Sequence, residues 1–97
     1  VEKIIRIRDK FLSGHEKKKW EVDGPAPEAR TITLLWSCKE SVFKWYGDGG
    51  VDFSEQIQLN RQDHEKKIID CFFSKDQSRL SIQYNLFDHL VLAWVVS

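Results

Sequence analysis

The sequence predicts an all-β domain, an antiparallel β-sandwich of about seven strands. Three observations carry that expectation. Apolar residues alternate with polar ones at period two through most of the chain after residue 30. Clusters such as Gly47-Asp48-Gly49-Gly50 and Lys75-Asp76-Gln77 punctuate the runs at strand-like intervals. The runs themselves are rich in β-branched and aromatic residues, which pack well on a pleated surface.

The elements follow in chain order. Residues 1–22 admit two readings. Ile4, Ile5 and Ile7 are β-branched and residues 19–22 alternate, which favours two strands. Val1, Ile4, Ile5, Phe11 and Leu12 also fit one helical face that Gly14 would end, so a short N-terminal helix is the alternative. Asp23-Gly24-Pro25-Ala26-Pro27 is a connection on either reading, because proline removes a backbone donor and blocks helix. Residues 31–38 place Ile32, Leu34, Trp36 and Cys38 on one face of a strand. The polar link Lys39-Glu40-Ser41 then leads into a hairpin partner at 42–46, with Phe43 and Trp45 opposing Val42, Lys44 and Tyr46. The glycines at 47, 49 and 50 suit a turn that needs positive φ.

Ile57 and Leu59 mark a short strand, and the polar stretch 60–67 reads as a loop or one turn of helix. Residues 67–74 and 79–86 form the clearest hairpin. Ile69, Cys71 and Phe73 share one face of its first arm; Leu80, Ile82, Tyr84 and Leu86 face inward from the second. In residues 90–96, Leu90, Leu92, Trp94 and Val96 are matched on the reverse face by Val91, Ala93 and Val95, which predicts a strand buried on both sides.

Size and charge bound the function. A chain of 97 residues is one domain, and an apolar share of 41% with four Trp and six Phe can build a core without disulfides or metals. Fifteen basic residues balance fifteen acidic ones, so the field that nucleic-acid domains carry is missing. No apolar run is long enough to span a bilayer, and Val1-Glu2-Lys3 does not begin a signal peptide. The lack of any Met and the apolar run that stops at Ser97 are expected of a piece of a longer protein.

The chemistry-bearing residues form no catalytic pattern. Cys38 and Cys71 fall on apolar faces and read as buried free thiols, with an inter-sheet disulfide as the alternative and no ligand spacing that would support zinc. His15, His64 and His89 each neighbour a carboxylate, an arrangement that surface loops explain without acid-base or metal chemistry. No phosphate-binding glycine motif or nucleophile elbow occurs. No catalytic residue, metal ligand or cofactor is therefore expected.

Two stretches remain as binding surfaces. Lys17-Lys18-Lys19-Trp20 joins three ammonium groups to an aromatic ring and could meet an anionic lipid head group or a single strand of nucleic acid, although Glu16 and Glu21 dilute its field. Val91, Ala93 and Val95 offer an apolar face that this chain or a partner must cover.

The chain also resembles a GOLD domain, a β-sandwich module of secretory-pathway and lipid-carrier proteins. The resemblance rests on the early strand at 4–8, on His15-Glu16 with the alternating stretch to Val22, and on the proline-containing link into Leu34-Leu35-Trp36. It resumes at 80–85, which end in Tyr84-Asn85. It implies a protein-interaction module paired with membrane-associated or lipid-handling domains, with no catalytic residues.

The expected function is thus non-enzymatic. It is an interaction module that docks a protein partner, or another region of the same protein, through a sheet edge or apolar face. Binding of anionic ligands through Lys17 to Trp20 is the alternative, with peripheral membrane contact but no membrane span. Two free thiols without a signal peptide point to the cytoplasm or another reducing compartment.

Overall fold

The computed structural model describes residues 10–22, 29–47, 49–87 and 90–96. In order they form helix α1 (Gly14–Lys19), helix α2 (Ala29–Tyr46) and strands β1 (Ile57–Asp63), β2 (Ile68–Phe73), β3 (Ser78–Leu86) and β4 (Val91–Val96). The strands make one antiparallel sheet in the order β1-β2-β3-β4, each paired with its neighbour in sequence. Helices cover one face of that sheet, so the architecture is mixed α/β in two layers rather than a seven-stranded sandwich.

The principal correction falls on residues 29–46. The expected strands at 31–38 and 42–46, and the link between them, are one continuous helix. Its buried positions are Ile32, Leu34, Leu35, Cys38, Lys39 and Val42, the spacing of a helical stripe. Leu35 would lie on the outer side of the expected strand and Lys39 in the polar link, yet both are fully buried. Local β-propensity at Thr31, Ile32 and Thr33 yields here to the burial that a longer amphipathic helix achieves. Gly47 ends the helix with φ of 81° and donates its N–H to the Phe43 carbonyl at 3.1 Å, a left-handed cap. Gly47→Ala should therefore cost about 1 kcal/mol in a urea titration, because an L-residue resists that conformation.

The N-terminal segment is also helical where it is described. Lys10 and Phe11 are in helical conformation, and Gly14 opens α1 rather than closing a helix. Ser13 caps α1, its Oγ accepting from the Glu16 N–H at 3.2 Å while Glu16 Oε1 accepts from the Ser13 N–H at 2.9 Å. The expected strand at 19–22 is absent: Lys19 ends α1, and Trp20 and Glu21 form a turn. The strand expected at 4–8, the linker at 23–27 and His89 lie outside the described residues.

The second half matches the period-two reading more closely. Ile57 and Leu59 are buried in β1, which runs on to Asp63 through residues expected to form a loop, with an irregularity between Leu59 and Arg61. Ile69, Cys71 and Phe73 of β2 and Leu80, Ile82 and Tyr84 of β3 are buried on the helix-facing side. Register pairs Cys71 with Leu80 and Ile69 with Ile82, which fixes this face.

In β4 only one of the two faces expected to be buried is covered. Val91, Ala93 and Val95 pack against the core, opposite Leu86, Tyr84 and Ile82 of β3. Leu90, Leu92, Trp94 and Val96 are exposed. The face carrying Val91, Ala93 and Val95 is thus covered from within by α2, which packs chiefly on β4. An even apolar pattern on both faces could not say which one the helix would take.

Candidate active site

A buried ion pair sets the geometry around the middle of α2. Lys39 and Glu16 are both buried, and Lys39 Nζ donates to Glu16 Oε1 at 2.7 Å and to the Phe53 carbonyl at 2.6 Å. Glu16 Oε2 accepts from the Leu59 N–H at 2.7 Å. These bonds join α1, α2, the 47–56 loop and β1 at one point. Burial pushes the Lys39 ammonium below the usual lysine range, and the Glu16 carboxylate beside it opposes that shift. Among the described residues no buried side-chain polar atom lacks a partner, so both charges are compensated.

The residue next to Lys39 faces the opposite environment. Glu40 projects from α2 one turn before Lys44, with Nζ to Oε1 at 3.6 Å and side-chain exposures of 42% and 73%. Glu40 and Lys44, with the hydroxyls of Ser37 and Ser41, line a cleft of about 200 Å³ closed on its other side by Val91, Leu92 and Ala93. Ser41 Oγ donates to the Cys38 carbonyl at 2.6 Å, which leaves a carboxylate, an ammonium and the Ser37 hydroxyl on this helix face to receive a phosphate group and a proton, chemistry that an apolar docking surface lacks. Among the described residues no three His, Cys, Asp or Glu side chains gather to hold a metal.

A separate aromatic recess of about 410 Å³ is lined by Lys10, Phe11, Trp36, Val51, Asp52 and Phe53. Trp36 stacks on Phe53 at 5.5 Å and meets Phe11 edge-on at 5.2 Å, and Phe43 tilts against the far side of the group at 5.3 Å from Phe53.

Comparison with known families decides what this helix belongs to. Residues 1–95 match the profile of the 4'-phosphopantetheinyl transferase superfamily. The chain belongs to that superfamily. No curated protein and no solved structure matches it. The match covers nearly the whole chain and replaces the GOLD-like resemblance, whose strand at 19–22 and whose strand through Leu34-Leu35-Trp36 are helix or turn. It also overturns the expectation of a non-catalytic interaction module and its anionic-ligand alternative, because the superfamily is one of transferases and an enzyme is indicated.

The residues singled out in the sequence take other places. Lys18 and Lys19 are exposed on α1, Lys17 is half-buried, and Glu16 turns inward instead of diluting their charge. Trp20 is half-buried, with Lys19 over its ring at 5.9 Å and its Nε1 donating to Gln62 Oε1 at 2.9 Å. Gln62 Nε2 in turn donates to the Tyr84 hydroxyl at 2.7 Å, so Trp20 is tied to the sheet. His15 and His64 are exposed. Among the described residues no helix is long and apolar enough to cross a membrane.

Sequence reasoning missed Lys39, Glu40 and Lys44 by reading 39–41 as a link. The available signal was Ile32, Leu35, Cys38 and Val42 at helical spacing ahead of Gly47, with Glu40 and Lys44 at i and i+4 on the remaining face.

Cys38 and Cys71 are free and buried, as expected. Burial pushes both thiols up to about 12, with the neighbouring Cys71 adding to the effect on Cys38 and Lys39 opposing it on Cys71. Neither suits a nucleophile. In the native protein both should resist a thiol reagent at pH 8 and react once urea unfolds the chain. Because the folded values lie above the ordinary one of 9.0, their contribution to stability is intact below pH 9 and is lost as pH rises from 9 toward 12.

Proposed function

We propose that this chain carries the transfer of a 4'-phosphopantetheinyl group from a nucleotide-linked donor to an acceptor nucleophile, with Glu40 and Lys44 at the reacting end. The family match over residues 1–95 carries the reading. The exposed face of α2 supports it, since transfer of a phosphate-bearing group needs a cation at the phosphate and a carboxylate near the attacking atom.

Lys44 is the ammonium that meets the transferred phosphate. Glu40 lies 3.6 Å from Lys44 and presents its carboxylate to take the proton that the acceptor sheds as it bonds to phosphorus, while the phosphorus–oxygen bond to the nucleotide breaks and the nucleotide leaves with that oxygen and its electron pair. The buried Lys39 supports Glu40 from behind by fixing α2 to α1, the 47–56 loop and β1. A protein acceptor would be the partner that the sequence analysis expects.

The test is transfer itself. Full-length protein incubated with fluorescently tagged coenzyme A and a cell extract should attach the label covalently to an acceptor. No label above a sample lacking the protein would sink the proposal.

A further inference from the structure

We infer that the cleft between the end of α1 and the β1–β2 turn is a second binding site, which takes a small aryl phosphate free in solution. The cleft holds about 460 Å³ and draws its walls from the end of α1, the first turns of α2, residues 62–67 and the end of β3. It shares no lining residue with the Glu40 to Lys44 cleft, and nothing in the proposed transfer uses it. Of the Lys17 to Trp20 run only Lys19, Trp20 line it, so the site is a cleft with an apolar floor and not a basic surface.

Charge selects the head of the ligand. Lys19, Arg30 and Lys67 are exposed at the rim against the single carboxylate of Glu21, in a chain whose formal net charge is zero. Among the described residues Lys19 and Lys67 form no ion pair. Arg30 gives one N–H to the Phe87 carbonyl at 3.1 Å and keeps the rest of its fork for a ligand. This local surplus of two positive charges suits a phosphate monoester, which carries about −1.5 to −2 at neutral pH, better than it suits a carboxylate.

The floor selects the body. Leu34 and Tyr84 are buried and Trp20 is half-buried, so an inorganic anion would leave rings and methyl groups uncovered. The indole is held at a fixed angle, its Nε1 donating to Gln62 Oε1 at 2.9 Å while Gln62 Nε2 donates to the Tyr84 hydroxyl at 2.7 Å. Lys19 Nζ stands over that ring, 5.9 Å from its centre, which puts an ammonium and an aromatic face within the span of one aryl phosphate. The backbone points to the same place. Of the three non-glycine residues with left-handed φ among the described residues, Glu21 at 57° and Lys67 at 56° both line this cleft. Such conformations cost free energy and cluster where ligands are held. The Lys67 carbonyl accepts from the Tyr84 N–H at 2.9 Å, which fixes the turn that carries its ammonium.

Titration of the full-length protein with phenyl phosphate, inorganic phosphate and phenol tests this. Phenyl phosphate should bind about tenfold more tightly than either of the others, the worth of one aromatic contact or one charged one. It should also shift the Trp20 indole N–H signal of the wild-type protein, a readout that needs no variant to fold. Lys19→Gln combined with Lys67→Asn removes two charges, and asparagine tolerates the left-handed backbone at 67. This variant should bind phenyl phosphate about tenfold or more weakly and transfer at the wild-type rate. Saturating coenzyme A should leave the phenyl phosphate affinity unchanged. Equal affinity for phenyl phosphate and either of its parts, an unmoved Trp20 signal, or full affinity in the double variant would overturn the inference. Competition with coenzyme A would give the cleft to the donor and overturn it as a second site, and tighter binding of a short phosphotyrosine peptide would overturn the assignment to a free ligand. Each of these outcomes leaves the proposed transfer standing.

Discussion

Lys39→Met should destabilise the protein by about 3–5 kcal/mol. Glu16 would keep its hydrogen bonds to the Ser13 and Leu59 N–H groups, but its charge would lie buried with no cation beside it. The Phe53 carbonyl would lose its donor at the same time. That loss is a large fraction of the stability available to a domain of this size. Urea denaturation followed by circular dichroism measures it. A companion variant separates charge from packing: in Glu16→Gln with Lys39→Met the orphaned charge is removed, and a substantial part of the stability should return. If Lys39→Met melts within 1 kcal/mol of the wild type, the ion pair does not hold these elements together.

The same pair shows why the sequence was legible in one half and not in the other. In β3 the alternation of Leu80, Ile82 and Tyr84 with Ser81 and Gln83 is unambiguous, and in β2 Asp70 marks the outer face although Ile68 and Phe72 share it with the aspartate. Period and burial agree most closely in β3, and the turn that leads into it carries Asp76, whose Oδ1 accepts from the Ser78 N–H. In α2 the two periods overlap. Ile32, Leu34 and Cys38 satisfy an alternating strand as well as a helix, and only Leu35, Lys39 and Val42 separate the two. Lys39 points the wrong way for a sequence reader, since an isolated lysine is almost always exposed. Its partner lies 23 residues earlier in a segment whose own structure was ambiguous. The candidate site depended on that same distinction. Once 39–41 is taken as a link, Glu40 and Lys44 have no fixed relation; once it is helix, they are neighbours on an exposed face.

Lys44→Ala should lower the rate of transfer, as kcat/KM, by about a hundredfold or more, the usual cost of removing one group that stabilises charge at a reacting phosphate. Glu40→Gln should lower it by a similar factor, about a hundredfold, because the amide neither takes a proton nor holds the Lys44 ammonium by charge. Both side chains are on the outside of α2 and their mutual contact is long, so neither change should shift the urea midpoint by the equivalent of more than about 0.5 kcal/mol. This combination distinguishes them from Lys39, where activity and folding should fall together. Lys44→Arg should restore part of the rate, since it returns the positive charge with a different donor geometry. Full activity in both Lys44→Ala and Glu40→Gln would move the reacting end away from this face of α2, even with transferase activity established. A loss in Lys44→Ala alone would keep the phosphate there and remove Glu40 from the proton's path.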